Sequence, residues 1–439
     1  MSDRTKRVKT QWNSYVRPFD SFSDEEINGL LDFCSKTTMV AEELSGKKCF
    51  LAYGALLGME RSGKLIPHDF DIDVAIDCGR ATKDEVAELC RDLIVKFMDA
   101  GYEVKAKCFA QFFVLPPKES KQRFKVEFFA SWIEDEQFYL YFALPGIDIV
   151  DQLFPLKQVE LQGHKFYAPK VPAALLASTY GDDWETPNSD FKYDMSGGRW
   201  APFTSYFFSR NKSQWNEHYA DGNTAQRYDT VSKSNLDTLI GLSTVDKQSV
   251  LDIGCGVGKD AIEIASLGHS VTAIDTSDAA IEVLKDQIEL KSIDNVTCDI
   301  VNLYDVPECH EFAVKHERKF DIILARNLIN SISLVGQTTL LKLVAETLTL
   351  NGEFLAIVPV DSVVDNANEV GEFEPNKRNK IPFYSRIILI EDFKIAASKF
   401  GLSLESQDCV NTSSEIHLRL SMQCNINALL TTNAVSNVA

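Results

Sequence analysis

The sequence has no run of about 18 apolar residues, so no membrane-spanning helix is expected. Its ten cysteines form no CxxC pair, and its seven histidines show no HExxH or paired-ligand spacing. That excludes the common zinc patterns. Most of the cysteines sit in apolar stretches and read as reduced, buried residues of a cytoplasmic protein, not as a disulfide frame. Positive charge is also scarce: 45 Lys and Arg stand against 64 Asp and Glu, for a net charge of −19. A general nucleic-acid binder needs a basic footprint, so the balance argues against that class without excluding one local basic patch, and the charge reads mainly as solubility. No internal repeat or low-complexity tract is visible. The opening stretch MSDRTKRVKTQWNSYVRPFD is basic but leads into no apolar segment, so it is not expected to be a secretory signal. Its Arg4, Lys6, Arg7 and Lys9 read as a solvated tail.

What is present is globular in character. The 439 residues are 45% hydrophobic and 25% charged, which suits two to three domains at about 150 residues each. The chain changes character over 185–215, where Pro, Gly, Ser and aromatic residues mix without periodicity, and this stretch reads as an interdomain connection. Before it the pattern is α+β. Ser23–Glu43 and Glu85–Ala100 have helical spacing. Cys49–Tyr53, Asp71–Ile76, Tyr102–Lys107, Gln111–Leu115, Phe124–Phe129 and Phe138–Phe142 read as strands. After it, strands at Val250–Ile253, Val271–Asp275, Asn295–Ile300, Phe320–Ala325 and Glu353–Val360 alternate with helices, the rhythm of a doubly wound parallel sheet. A helix at Glu391–Phe400 and a strand pair, Leu402–Gln407 and Glu415–Met422, close it.

The informative part of the first half is Tyr53 to Asp77. Asp71 and Asp73 lie two apart on an expected strand, hence on one face. Two adjacent carboxylates repel unless a cation lies between them, which points to a Mg²⁺ or Mn²⁺ site with oxygen ligands. Glu127, in KVEFF, is placed to join them from a neighbouring strand, and Asp69 to line the entrance. Gly54 and Gly58 would let backbone pass close to a phosphate. Three acids around one or two divalent ions suit in-line displacement at phosphorus.

The segment YGALLG followed by R-x-G-K-x-IPHDFDIDVAI resembles the LicD/fukutin-type branch of the nucleotidyltransferase fold. A later segment, DQLFPLKQVELQGHKFYAPKVPAALLASTYGDDWETP, is similar to that family's second signature. The resemblance spans roughly residues 25–187. It implies that Asp71 and Asp73 bind metal, with Glu127 as the third acid, and that Gly54, Arg61, Lys64 and Asp69 lie toward phosphate or substrate. Tyr180, Gly181 and Asp182 belong to the second signature. Ala55, His68 and Phe70 depart from the family's usual residues, and Ala55 removes a hydroxyl suited to phosphate. The implied reaction moves a phospho-alcohol, such as phosphocholine, phosphoethanolamine or a polyol phosphate, from a CDP-activated donor to a glycan or lipid-linked glycan.

In the second half, VLDIGCGVGKDAIEIA leaves a strand, turns through Gly254, Gly256 and Gly258, and enters a helix. Asp252 precedes the loop and Asp275 ends the next strand, where an acid suits a ribose. The third glycine comes one residue too early for a pyrophosphate-type GxGxxG. The stretch resembles the class I S-adenosylmethionine-dependent methyltransferase family over roughly residues 213–424. That resemblance implies Asp252, Gly254, Cys255 and Gly256 around the methionine part of the cofactor and Asp275 at the ribose. Asp299 would meet the adenine amino group beside the apolar Ile300. Gly258, Thr276 and Arg326 complete the expected cofactor set, with Arg326, Asn327 and Asn330 toward the acceptor. Cys255 reads as a small filler, not a nucleophile. His310, His316 and His417 read as ordinary surface or core residues. An insertion over 361–384 reads as a lid or a surface loop, with Lys377, Arg378, Lys380 and Arg386 suited to gripping a phosphate.

Taken together, the expected fold is α+β then α/β: a nucleotidyltransferase-like mixed sheet with helices over 1–210, its linker starting near 186, and a Rossmann-like doubly wound sheet over 211–439. The expected enzyme is bifunctional and cytoplasmic, working without nucleic acid and touching a membrane-linked acceptor only peripherally. Two other readings stay open: a methyltransferase with a non-catalytic glycan- or nucleotide-binding module in front, and a small-molecule or RNA nucleotidyltransferase.

Overall fold

The structure is a computed structural model describing residues 7–10, 15–120, 124–188, 191–192, 211–220, 246–359, 363–364, 387–409 and 415–422. The chain divides into two compact units, Met1–Ser209 and Arg210–Ala439.

After a short strand pair, Val8–Lys9 with Tyr15–Val16, the first unit forms helix α1 (Asp24–Ser45), which starts where the sequence signals it. Ser23 accepts the Glu26 amide while the Glu26 carboxylate accepts the Ser23 amide, satisfying two otherwise orphaned donors. Strand β1 (Cys49–Leu51) leads into helix α2 (Tyr53–Ser62), then β2 (Ile72–Arg80), helix α3 (Lys83–Asp99), β3 (Glu103–Cys108), β4 (Gln111–Leu115), β5 (Val126–Glu134), β6 (Gln137–Leu140) and β7 (Leu144–Ile147). These strands form one mixed sheet in the order β1-β2-β5-β4-β3, with β6 and β7 continuing from the far half of β5. Among the described residues of this sheet, only β2 and β5 run parallel. Because β5 is buried almost throughout, its sequence VEFFASWIE is largely apolar instead of alternating, with Glu127 and Ser131 as buried polar exceptions. Phe97 of α3 packs on Phe112 and Phe128 of the sheet, with ring centroids 6.5 and 5.8 Å apart. A hairpin of β8 (Lys157–Leu161) and β9 (His164–Ala168) and helix α4 (Pro172–Tyr180) complete the unit.

One expectation changes here. Tyr53 begins a helix instead of ending a strand, and Gly54 and Gly58 lie inside that helix. Their lack of a side chain serves packing. A Cβ on Gly54 would stand 2.0 Å from the Asp69 carboxylate, and one on Gly58 would stand 2.4 Å from the Lys64 carbonyl.

The second unit begins with helix α5 (Asn211–Ala220) and continues β10 (Ser249–Ile253), α6 (Lys259–Ser266), β11 (Ser270–Asp275), α7 (Asp278–Leu290), β12 (Val296–Ile300), α8 (Val306–Lys315), β13 (Phe320–Arg326), α9 (Leu334–Thr347), β14 (Leu348–Pro359), α10 (Ile390–Ser398), β15 (Leu402–Cys409) and β16 (Glu415–Met422). The sheet order is β12-β11-β10-β13-β14-β16-β15. The first five strands in that row are parallel, and β16 lies antiparallel between β14 and β15. Apolar clusters cover both faces. The strand order reverses between β10 and β13, and open α/β sheets bind ligands in the crevice beyond that switch point. The basic end of the expected lid, with Lys377, Arg378, Lys380 and Arg386, lies outside the described residues, as does most of the expected connection near residue 200.

Candidate active sites

In the first unit the parallel register places Asp73 directly beside Glu127. Asp71, two residues before Asp73, shares its face. One carboxylate oxygen from each of Asp71, Asp73 and Glu127 lies within 4.8 Å of the others. The three are drawn from a sequence gap closed only by the β2–β5 pairing. Asp71 and Glu127 are 8% and 5% exposed, so their charges are largely removed from water.

The surroundings act on these acids in a consistent direction. Burial raises Asp73 well above the ordinary carboxylate range, and the charges of Asp71, Glu127 and Asp69 add to it. Burial also raises Asp71 and Glu127, opposed in both by lysine charges. Burial and the neighbouring Asp71 push the Asp69 carboxyl up to about 7. Anions held this way need a cation to be charged at neutral pH. The donor set, all carboxylate oxygen, fits a hard divalent ion such as Mg²⁺ or Mn²⁺.

Three further residues complete the site, and sequence reading did not name them for it. Gln111 Nε2 donates to Glu127 Oε1 at 2.6 Å, Lys107 Nζ donates to the same oxygen at 3.2 Å, and Lys125 Nζ donates to Asp71 Oδ2 at 3.1 Å. Phe113 lies opposite Glu127 on β4, and both ammoniums stand over its ring, at 4.8 and 4.5 Å from the centroid. Phe70, where the resembled family has an acid, lies 5.5 Å from the Lys125 ammonium.

The other expected contacts are distributed differently. Gly54 faces Asp69 across the first turn of α2, and Ala55 is buried there. Arg61 is turned toward the chain after α4: Nε donates to the Trp184 carbonyl at 2.8 Å and Nη2 to the Thr186 carbonyl at 3.1 Å. Lys64 and Asp182 are exposed, and Tyr180 packs on Phe191 at 5.1 Å between centroids. The structure therefore groups Asp69, Asp71, Asp73 and Glu127, and leaves Lys64 and Asp182 at the surface.

In the second unit the loop after β10 is built on left-handed backbone at Gly254, Gly256 and Gly258, with φ of 72°, 54° and 79°. Side chains at these positions would also collide: a Cβ on Gly258 would lie 2.2 Å from Leu284, and one on Gly256 would lie 2.7 Å from the Tyr219 hydroxyl. Asp275 holds the loop, accepting the Gly256 amide at 2.9 Å and the Ser277 amide at 2.8 Å. Asp252 is 2% exposed, and its Oδ2 has no hydrogen-bond partner. Burial and Asp260 raise its carboxyl well above the usual range. Thr276 Oγ1 is likewise buried and unpartnered. Arg326, at the end of β13, pairs with Asp260 at 2.8 Å. Asp299 is exposed at the end of β12, its Oδ1 accepting the Ile300 amide at 2.9 Å. The Cys255 thiol is pushed well up by burial, which suits a packing role over a nucleophilic one. A buried acid with one unpartnered oxygen beside the glycine loop, with a second acid at the next strand end, fits a cationic nucleoside cofactor such as S-adenosylmethionine. Helix α5 is the element that motif reading missed: Asn216 takes the Ser277 hydroxyl at 2.8 Å, and Tyr219 covers Gly256.

Residues 46–171 match the LicD/FKTN/FKRP nucleotidyltransferase domain family, and residues 244–385 match a methyltransferase domain family. The chain joins a LicD-type domain to a methyltransferase domain. The methyltransferase unit is similar to the mitochondrial ubiquinone biosynthesis O-methyltransferase of Schizosaccharomyces pombe, 33% identical over 129 residues, 26% of this chain and 46% of that protein. It is also similar to the ubiquinone biosynthesis O-methyltransferase of Saccharophagus degradans, 32% identical over 95 residues, 21% of this chain and 37% of that protein. The chain thus spans less than half the length of these curated relatives. Among solved structures, the 1,6-didemethyltoxoflavin-N1-methyltransferase of Burkholderia thailandensis aligns with a TM-score of 0.38 and 15% identity, over 48% of this chain and 87% of that one. A TehB-like SAM-dependent methyltransferase of Corynebacterium glutamicum aligns with a TM-score of 0.33 and 17% identity, over 47% and 98%.

Proposed function

We propose that the protein is a bifunctional transferase of surface-glycan modification, with one activity in each of two domains, 1–210 and 211–439. The first domain transfers a phospho-alcohol from a CDP-activated donor to a glycan or lipid-linked glycan. The observation that carries this reading is the convergence of Asp71, Asp73 and Glu127 within 4.8 Å on the β2–β5 pair. These three carboxylates would hold Mg²⁺ or Mn²⁺, which supplies neutralisation of phosphate charge during displacement at phosphorus. An acceptor hydroxyl oxygen forms the new bond to the donor's distal phosphorus and gives up its proton to solvent, the P–O bond of the diphosphate bridge breaks, and CMP leaves. Lys107 and Lys125 stand at the mouth, where the donor's diphosphate enters. Asp69 lines the same entrance.

The second domain transfers a methyl group from S-adenosylmethionine. That cofactor supplies an electrophilic methyl on a sulfonium. Asp252 and the Gly254–Gly258 loop would take its methionine part, Asp275 its ribose, and Asp299 with Ile300 its adenine. Methyl transfer depends chiefly on alignment and exclusion of water, so no separate base is assigned. The acceptor is the transferred group or the glycan itself, and both reactions take place in the cytoplasm.

The test is a donor screen. Purified protein with Mg²⁺ is offered CDP-choline, CDP-ethanolamine, CDP-glycerol and CDP-ribitol, and CMP release is measured. Release from at least one supports the reading. Release from none, with S-adenosylmethionine still bound, leaves the methyltransferase with a binding module in front.

A further inference from the structure

Of the three clustered acids, Glu127 has the longest side chain, with one more rotatable bond to fix than Asp71 or Asp73. Ordering a free glutamate costs rotamer entropy, so a ligand oxygen held beforehand binds an ion more tightly. The sheet supplies that restraint.

Glu127 pairs with Phe113 across the antiparallel β4–β5 ladder, and Gln111 pairs with Phe129. Gln111 lies two residues before Phe113, so it shares the face of Glu127 and stands diagonally beside it. Its Nε2 donates to Glu127 Oε1 at 2.6 Å. On the other side of β4, the register steps from Ala106 opposite Phe112 to Cys108 opposite Gln111, leaving Lys107 as an extra residue. A bulge of this kind re-aims a side chain. Lys107 Nζ reaches the same Oε1 at 3.2 Å.

The two contacts differ in weight. Gln111 is 4% exposed, whereas the Lys107 side chain is 49% exposed. A hydrogen bond sealed from water has no solvent competitor, and a half-exposed ion pair contributes little. The amide is also neutral, so it supplies a donor without setting another cation against the ion.

We infer that Gln111 is a positioning residue of the first site: its buried amide sets the Glu127 carboxylate where, with Asp71 and Asp73, it ligates a divalent ion. The inference rests on the metal reading above. It goes further in naming a residue that carries no charge and yet governs how tightly the ion is held.

The test is the Mn²⁺ affinity of the full-length protein without donor, read from the free-ion electron paramagnetic resonance signal. Asp73→Asn serves as the blank for ions bound elsewhere. Gln111→Met keeps the length of the side chain and removes the donor, and it should bind Mn²⁺ about 10-fold or more weakly than wild type. The same change is then made in a Glu127→Asp background, where the shortened acid is withdrawn from the amide. There it should weaken binding by less than about twofold further. If Gln111→Met misfolds by circular dichroism, Gln111→Asn replaces it, and its shorter amide should give the same loss. A smaller loss in the folded single variant overturns the inference while leaving the metal site standing. A larger further loss in the Glu127→Asp background does the same, because it would show Gln111 acting on the fold at large. Wild type that binds no more Mn²⁺ than Asp73→Asn overturns the metal reading itself.

Discussion

Asp73 and Glu127 stand side by side across the one parallel strand pair of the first sheet, and with Asp71 they bring three carboxylates to one face. Neither strand alone makes the site. The apolar residues that alternate with them, Ile72, Val74, Val126 and Phe128, are fully buried and fix the register that brings the acids together.

Metal affinity should depend on pH in a defined direction. Burial pushes Asp69 up to about 7 and raises Asp73 well above the ordinary carboxylate range, so at neutral pH and below the metal-free site holds protons that an ion must displace. Mn²⁺ affinity should fall as pH drops below about 7, by up to about tenfold per unit for each proton displaced. The linkage to stability has the matching sign. Raised carboxyls bind protons more tightly in the folded state than in the unfolded one, near 3.9 for an ordinary Asp. Their favourable contribution is therefore complete below the unfolded value and is lost as pH rises through the folded one. Metal-free protein should lose thermal stability between about pH 4 and 7, and added Mn²⁺ should recover most of it. Melting curves across that range, with and without Mn²⁺, check both statements.

Asp252→Asn should separate stability from binding. The acid is buried with one oxygen unpartnered, so the neutral amide should leave the melting temperature equal or higher. If the carboxylate meets the cationic cofactor, S-adenosylmethionine should bind about 10- to 100-fold more weakly. Calorimetric titration measures this directly.

Arg61→Ala should act on structure before substrate. Its guanidinium ties the Trp184 and Thr186 carbonyls to α2. Losing charged hydrogen bonds of this kind should cost about 1–3 kcal/mol in stability. The donor KM should change less than twofold. A large rise in KM with unchanged stability would instead place Arg61 on phosphate.

Gly258→Ala should destabilise the second unit by about 1–3 kcal/mol, because its φ is 79° and a Cβ would meet Leu284 at 2.2 Å. Leu284→Ala removes that obstacle. Denaturant melts of the two single variants and the double should show the double less destabilised than the two singles combined.

The sites were legible to different depths, for physical reasons. Acids two apart on a strand must share a face, so Asp71 and Asp73 could be paired from local sequence, and Glu127 followed from an apolar run suited to a neighbouring strand. The loop Gly254–Gly258 and Asp275 were legible because strand, turn and helix follow one another within a single βαβ unit. Lys107 and Lys125 were not, because they reach the acids only through the β3–β4–β5 pairing, and nothing local distinguishes a lysine facing a carboxylate from one facing water. Gly54 was ambiguous for a related reason. Its lack of a side chain suits a phosphate loop, and only the fold adds that it also makes room for the Asp69 carboxylate. Tyr219 belongs to a helix of low amphipathicity ahead of the first strand, so no pattern tied it to the glycine loop.

The central claim is that the carboxylate cluster carries metal-dependent phosphoryl transfer independently of the methyltransferase domain. The most direct measurement compares wild type with Asp73→Asn, following CMP release from the best CDP-linked donor as Mn²⁺ or Mg²⁺ is titrated, with S-adenosylmethionine affinity measured on the same preparations. The account predicts that CMP release needs the divalent ion and falls at least about 1,000-fold in Asp73→Asn, while S-adenosylmethionine binds both proteins alike. CMP release that survives in Asp73→Asn, or proceeds equally in excess chelator, would contradict it.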